Sequence, residues 1–200
     1  MATDKTQAIK LNETEKRMEL TVRLDSLFDG KMPNDPGLRQ AIGQKVIDLI
    51  KERTLSGRDV DGKRFKKYSE AYAGGDKSPP SAAFVAFGKS KQPVNLFLSG
   101  AMLDTLDIKN DTKNTIKLGW SDSLENAKAF AHNTGYEGHR TIKDGPQRRF
   151  FDLNPSEIKQ IRDTFQRQVQ VQQELDGARK AGTTEATALK LLKEILNGEN

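Results

Sequence analysis

Leu106-Asp107-Ile108-Lys109-Asn110-Asp111-Thr112-Lys113-Asn114-Thr115-Ile116-Lys117-Leu118-Gly119-Trp120 is the stretch whose reading decides the fold. Leu106 and Ile108 alternate with polar residues, Asn110 to Asn114 supplies a turn, and Ile116, Leu118 and Trp120 alternate again. Period-two alternation on both sides of a polar turn predicts a hairpin with one buried face. Helical patterns flank it on both sides. The chain is therefore expected to be α+β: a small antiparallel sheet packed with helices, with a long inserted loop, an extended N-terminal arm and a C-terminal helix.

Upstream, Asn34-Asp35-Pro36-Gly37 gives a helix start, with Asp35 able to cap the free amides and Pro36 suited to the first helical position. Leu38, Ala41, Ile42, Val46, Leu49 and Ile50 then form an apolar stripe, leaving Arg39, Gln44, Lys45 and Lys51 facing outward. From Leu55 to Pro93 the periodicity disappears and glycines and prolines interrupt whatever begins, so a long loop, functional or disordered, is expected. Order returns at Val94-Asn95-Leu96-Phe97-Leu98, where Ser99 caps a short turn carrying Met102, Leu103 and Leu106 inward.

Downstream of the hairpin, Asp122 and Glu125 fit a capping box for a helix carrying Leu124, Ala127, Phe130 and Ala131 and ending near Gly135. A glycine- and charge-rich loop runs on to Asp144. Asn154-Pro155-Ser156-Glu157 is a second capping box, opening a helix with Ile158, Ile161, Phe165 and Val169 on one side. The stretch Gly177 to Gly182 reads as a break, and Ala188, Leu189, Leu192, Ile195 and Leu196 as a last amphipathic helix. Three parts follow: an N-terminal arm over 1–33, a core over 34–177 with a long loop at 55–93, and a C-terminal helical tail over 178–200.

Of the 200 residues, 34% are hydrophobic and 30% charged, with a mean hydropathy of −0.73, so the core is small for the surface it supports. Between Lys51 and Lys91 stand ten basic and five acidic residues, a local excess that suits a polyanion, an acidic partner surface or a solvated loop. No stretch approaches the ~18 apolar residues of a membrane span, and the first thirty residues lack the apolar run of a signal peptide. Synthesis in the cytosol without membrane attachment is the expectation.

The absence of cysteine excludes disulfides, thiolate metal sites and a cysteine nucleophile. His132 and His139 have no partner at metal-ligand spacing, and Asp59-Val60-Asp61-Gly62 reads as an Asp-Gly turn because the glutamate that would complete a calcium loop is missing. No phosphate-cradling glycine loop, nucleophile elbow or nominated triad occurs. The chain is expected to be no enzyme and to need no cofactor or metal. Arg148 and Arg149 beside Phe150 and Phe151 admit two readings: a grip on nucleic-acid phosphates and bases, or phenylalanines anchored in the core while the arginines meet carboxylates of a neighbouring subunit. The second is preferred. Lys63, Arg64, Lys66 and Lys67 around Phe65 carry the same ambiguity.

The order of these motifs resembles the phage virion morphogenesis family of tail-completion proteins, typified by the G protein of phage Mu. Its members show a helix ending in Arg-x-Thr, Gly-x-Asp-x-Asp-Gly-x-x-Phe-x-x-Tyr-Ser, Leu-x-x-Thr-Gly-x-Met-x-x-Ser-Leu, His-Asn-x-Gly and Pro-x-Arg-x-Phe. Here these stand as Arg53 and its flank, Gly57 to Ser69, Leu96 to Leu106, His132 to Gly135, and Pro146 to Phe150. Ser99, Thr105 and Lys67 depart from the usual threonine, serine and proline. The resemblance covers roughly residues 36–165 and leaves both ends unassigned.

It implies a virion protein, assembled in the host cytoplasm, that forms a homo-oligomeric ring, six-fold by analogy with tail terminators. The ring would sit at the neck, where it completes the tail and meets the connector and the tail tube or sheath. Genomic DNA would pass through the lumen and could touch it. Intersubunit or partner contacts are expected at Arg58, Lys63, Phe65 and Tyr68 in the loop and at Arg148, Arg149 and Phe150 beside the core. A basic DNA-binding protein and an assembly factor absent from the finished particle are the alternatives.

Overall fold

A computed structural model describes residues 9–12, 18–30, 32, 34–96, 100–135, 146–180 and 190. The expected hairpin is present as β3 (Asp107–Asp111) and β4 (Thr115–Gly119), closed by a turn in which the Thr112 and Thr115 hydroxyls bond at 2.7 Å. It lies in a four-stranded antiparallel sheet with β1 (Ile9–Asn12) and β2 (Glu19–Arg23), in the order β1-β2-β4-β3. β2 pairs with β4 so that Leu20 faces Leu118 and Val22 faces Ile116, and all four side chains are fully buried.

Within the expected N-terminal arm over 1–33, the described residues 9–12 and 19–27 belong instead to the sheet and α1. Met18, Leu20, Val22 and Leu24 fall at every second residue and sit in the core, and Leu27 joins them from the single turn of α1 (Leu24–Leu27). The reason is physical: a lone hairpin is marginal in water, and β2 both adds a strand and contributes half of the apolar face. The fold class stands as α+β, with two of the sheet's four strands, one edge and one interior, built from the supposed extension.

α2 (Pro36–Leu55) starts as expected, with the Asp35 side chain accepting from the Leu38 amide at 3.1 Å and Pro36 in the first turn. Leu38, Ile42, Val46, Leu49 and Ile50 are buried, but Ala41 is exposed and Arg39 is buried, paired with Asp111 of β3 at 2.9 Å. Gly43 lets the helix lie close on the sheet: a Cβ there would stand 2.5 Å from Ile108 Cδ1. α5 (Ala101–Asp104) buries Met102 and Leu103, and the Met102 carbonyl accepts from the Trp120 indole at 2.5 Å.

α6 (Ser123–Thr134) is capped by Asp122, whose carboxylate accepts from the Leu124 and Glu125 amides at 2.8 and 2.9 Å, and ends at Gly135 with φ 84°. Its buried face is not the apolar one expected. Glu125, Asn126, Ala129 and Asn133 turn inward while Leu124 is 62% exposed. The two asparagines are held there by backbone donors: Asn126 accepts from the Met18 amide at 3.0 Å, and Asn133 from the Phe150 and Phe151 amides at 3.1 Å each.

α7 (Pro155–Lys180) opens on the expected reciprocal box between Asn154 and Glu157, with both bonds at 2.9 Å. Ile161, Phe165 and Val169 pack inward. The helix continues through Gly177, so the expected boundary at 178 is not a structural one; one glycine costs about 1 kcal/mol against alanine, too little alone to end a helix of this length. The apolar stripe at 188–196, the loop at 136–145 and Phe97 to Ser99 lie outside the described residues, apart from helical Lys190.

Candidate interaction surface

Four of the five stretches that carry the sequence motifs, scattered over about a hundred residues, meet at the C-terminal end of α2. Arg53 donates from Nη1 to the Glu157 carboxylate, and from Nη2 to the carbonyls of Phe150 at 2.5 Å and Asp152 at 2.8 Å. Thr54 closes the helix by donating to the Ile50 carbonyl at 2.6 Å. The same Phe150 that Arg53 holds by its carbonyl is held by its amide on Asn133, and the Arg148 amide donates to the His132 carbonyl at 2.8 Å. Arg53 was quoted among the motifs but not nominated as a site. A helix-terminal arginine carries no sequence mark that distinguishes it from a solvated one.

Beyond this junction, Gly57 to Ser69 folds as a tight excursion. Gly57 adopts φ 77°, and an added Cβ would meet the Val94 carbonyl at 2.6 Å. Arg58 and Arg64 form an isolated antiparallel bridge around a turn in which the Asp59 carbonyl accepts from Gly62 and its carboxylate from the Lys63 amide, so the Asp-Gly turn reading holds. The excursion is fastened to the core where the Val60 amide donates to the Arg149 carbonyl at 2.7 Å.

The expected long loop is thus an ordered one. It carries α3 (Glu70–Ala73) and α4 (Ala82–Ala86), and Tyr68, Tyr72 and Phe84 meet edge to face with centroids 5.3 to 6.0 Å apart. Tyr68 donates to the Asn95 carbonyl at 2.6 Å, and Lys89 and Arg148 lie over its ring at 5.2 and 5.9 Å. Burial raises the Tyr68 phenol above its ordinary value and lowers the Lys89 ammonium, the latter helped by Arg148. His132 feels the same surroundings: burial first, then Arg148 and Lys89, push its imidazole down to about 4.

The seven nominated contact residues separate into three groups: three buried, one half-buried and three exposed. Phe65, Arg148 and Phe150 are buried within the subunit and cannot meet a partner directly, which corrects their nomination. Phe65 and Phe150 belong to the apolar core, and Arg148 is drawn inward by Tyr68 and by the Lys66 carbonyl at 3.3 Å. The half-buried Tyr68 ring holds the loop together from within. Arg58, Lys63 and Arg149 remain exposed and share one rim with Arg64, Lys66 and Lys67. Arg149 reaches Asp61 at 3.5 Å with both side chains about half exposed, a contact of little energetic weight.

The sequence reading passed over Val85 and Phe87, exposed by 61% and 51% at the tip of the loop. The unbroken apolar run Ala82 to Phe87 inside a proline-flanked segment was the available signal. Among the described residues no group of three metal-ligating side chains gathers, and no helix is long and apolar enough to cross a membrane. Comparison of the chain with family models, with curated proteins and with solved structures produced no match.

Proposed function

We propose that this chain is a structural subunit of a tailed-phage particle, forming an oligomeric ring at the neck that completes or terminates the tail and joins it to the head connector. The observation that carries the reading is the ordered set of motifs from Arg53 to Phe150, four stretches of which the fold gathers into one junction. Motifs that converge in this way act as one packing unit, so their shared order has a structural reason. In this reading the protein catalyses no reaction and takes no cofactor. Its partners are further copies of itself, six by analogy, together with connector and tail tube or sheath proteins, and its place is the virion.

The architecture suits that role. The junction fixes an ordered loop that leans outward with a basic rim and an apolar tip, a form useful when symmetry-related copies complete the burial. Mass spectrometry of purified particles tests the proposal: the chain should be present at a few copies per virion, and its absence would make it an assembly factor instead. A second reading, binding of free DNA, is favoured by the five exposed cations Arg58, Lys63, Arg64, Lys66 and Lys67 on one excursion. It requires a mobility shift that weakens steeply with salt, and no shift at low ionic strength removes it.

A further inference from the structure

We propose that the apolar tip at α4 docks into a groove between α1 and α7 of a second copy of this chain, making the head-to-tail contact of the ring; the inference rests on the ring reading above. α4 breaks the usual rule for a surface helix, because its outward residues are all apolar. Ala82, Ala83, Val85, Ala86 and Phe87 face water, and only Phe84 turns inward, onto Tyr68 and Tyr72. The tip is braced from beneath: Ser81 caps the helix through the Phe84 amide at 3.3 Å, and the Ser81 amide donates to the Tyr72 carbonyl at 2.9 Å. A crest this apolar on a firm base is shaped to be covered.

The occupant is argued from the chain's own opposite end. A groove of about 530 Å³ opens where the turn after α1 meets α7, with half-buried Phe28 as its accessible apolar part, Val169 almost fully covered at its base, and Gln166, Gln170 and Gln173 around it. Its one charged lining residue is Asp29, whereas the tip is flanked by exposed Lys77 and Lys91 against a single exposed carboxylate, Asp76, so the two surfaces are opposite in net charge. They also lie toward opposite ends of α2. Arg162 donates to the Leu27 carbonyl at 2.7 Å beside the groove, while the loop bearing α4 leaves from the Arg53 end. Twenty helical residues separate those ends by about 30 Å. Two different patches, on opposite flanks of one subunit, are what a heterologous contact needs if it is to repeat around a ring.

The natural absence of cysteine makes the test direct. Phe87→Cys and Gln170→Cys chains, each full length, are mixed and oxidised with diamide. The expected result is a reducible dimer only on mixing, and a ladder of linked chains from the double variant. Phe87→Lys and Asp29→Lys should each shift the oligomer toward monomer in sedimentation, and Asp29→Lys with Lys91→Asp should recover it. An oligomer that yields no link between the two positions overturns the docking and leaves the ring standing. A monomer without the link, a link formed only within one chain, or a Gln170→Cys thiol shielded from maleimide in the monomer also overturns it. Absence of the chain from purified virions would instead overturn the ring reading itself.

Discussion

Arg53 and Arg149 lie on either side of one junction and use the same guanidinium in opposite ways. Arg53 is enclosed, its charge divided between the Glu157 carboxylate and two backbone carbonyls of the segment that joins α6 to α7. Arg149 is half exposed and touches Asp61 at 3.5 Å, open to solvent that screens the pair. The first fixes where three parts of the chain meet. The second leaves a positive charge on the rim. A buried ion pair makes its own surroundings dependent on it, because removing one partner strands the other, while a surface pair can be cut with little loss.

The largest effect is expected where that dependence is strongest. Arg53→Met should destabilise the protein by about 3–5 kcal/mol, because it leaves the Glu157 carboxylate buried without its cation and strips two carbonyls of a donor. Urea unfolding followed by circular dichroism measures it against Arg149→Met, for which the loss should stay below about 1 kcal/mol. Equal losses for the two variants would break the comparison. Adding Glu157→Gln to Arg53→Met should return part of the loss, since the stranded charge is then gone.

His132 extends the contrast to pH. Its folded-state value of about 4 lies below the ordinary 6.5, so the unfolded chain binds a proton that the folded one refuses between those limits. Stability is complete above about pH 6.5 and falls as the pH drops toward 4, by up to about 3 kcal/mol from this group. Asp152 acts in the other direction, since burial raises its carboxyl and favours the protonated form in the folded state. The measurement is therefore the difference between wild type and His132→Gln across pH 4 to 7. A wild-type curve that parallels the variant's over that range would remove burial, and with it Arg148 and Lys89, as an unfavourable surround for the imidazolium.

Local chemistry explains what was legible beforehand. The hairpin, the Asp35 and Asp122 caps and the Asn154–Glu157 box are written in neighbouring residues, and each stands where it was expected. The role of residues 18–27 was not legible, because an alternation so short gains meaning only from the β4 edge it pairs with, about a hundred residues away. The inward face of α6 was hidden for a related reason. Asn126 and Asn133 are buried by backbone amides supplied from Met18, Phe150 and Phe151, and hydropathy ranks them as surface residues. For the candidate contacts, composition placed the basic excess correctly at residues 51–91 but could not separate Arg148 from Arg149, neighbours that the extended backbone sends to opposite sides.

That separation changes the decisive assembly experiment. Reversing Arg148 would place a carboxylate among buried groups and confuse unfolding with lost contact, so the informative variants are Arg58→Glu, Lys63→Glu and Arg149→Glu. Each alters an exposed side chain, and each alone should change stability by less than about 1 kcal/mol. Arg149→Glu faces Asp61 and should show the greatest loss of the three. If the rim meets an acidic surface of a neighbouring ring component, the combined variant should fold normally and yet leave heads and tails unjoined in electron micrographs. Normal infectious particles from that variant would take the basic rim out of the contact and leave the apolar tip to supply it.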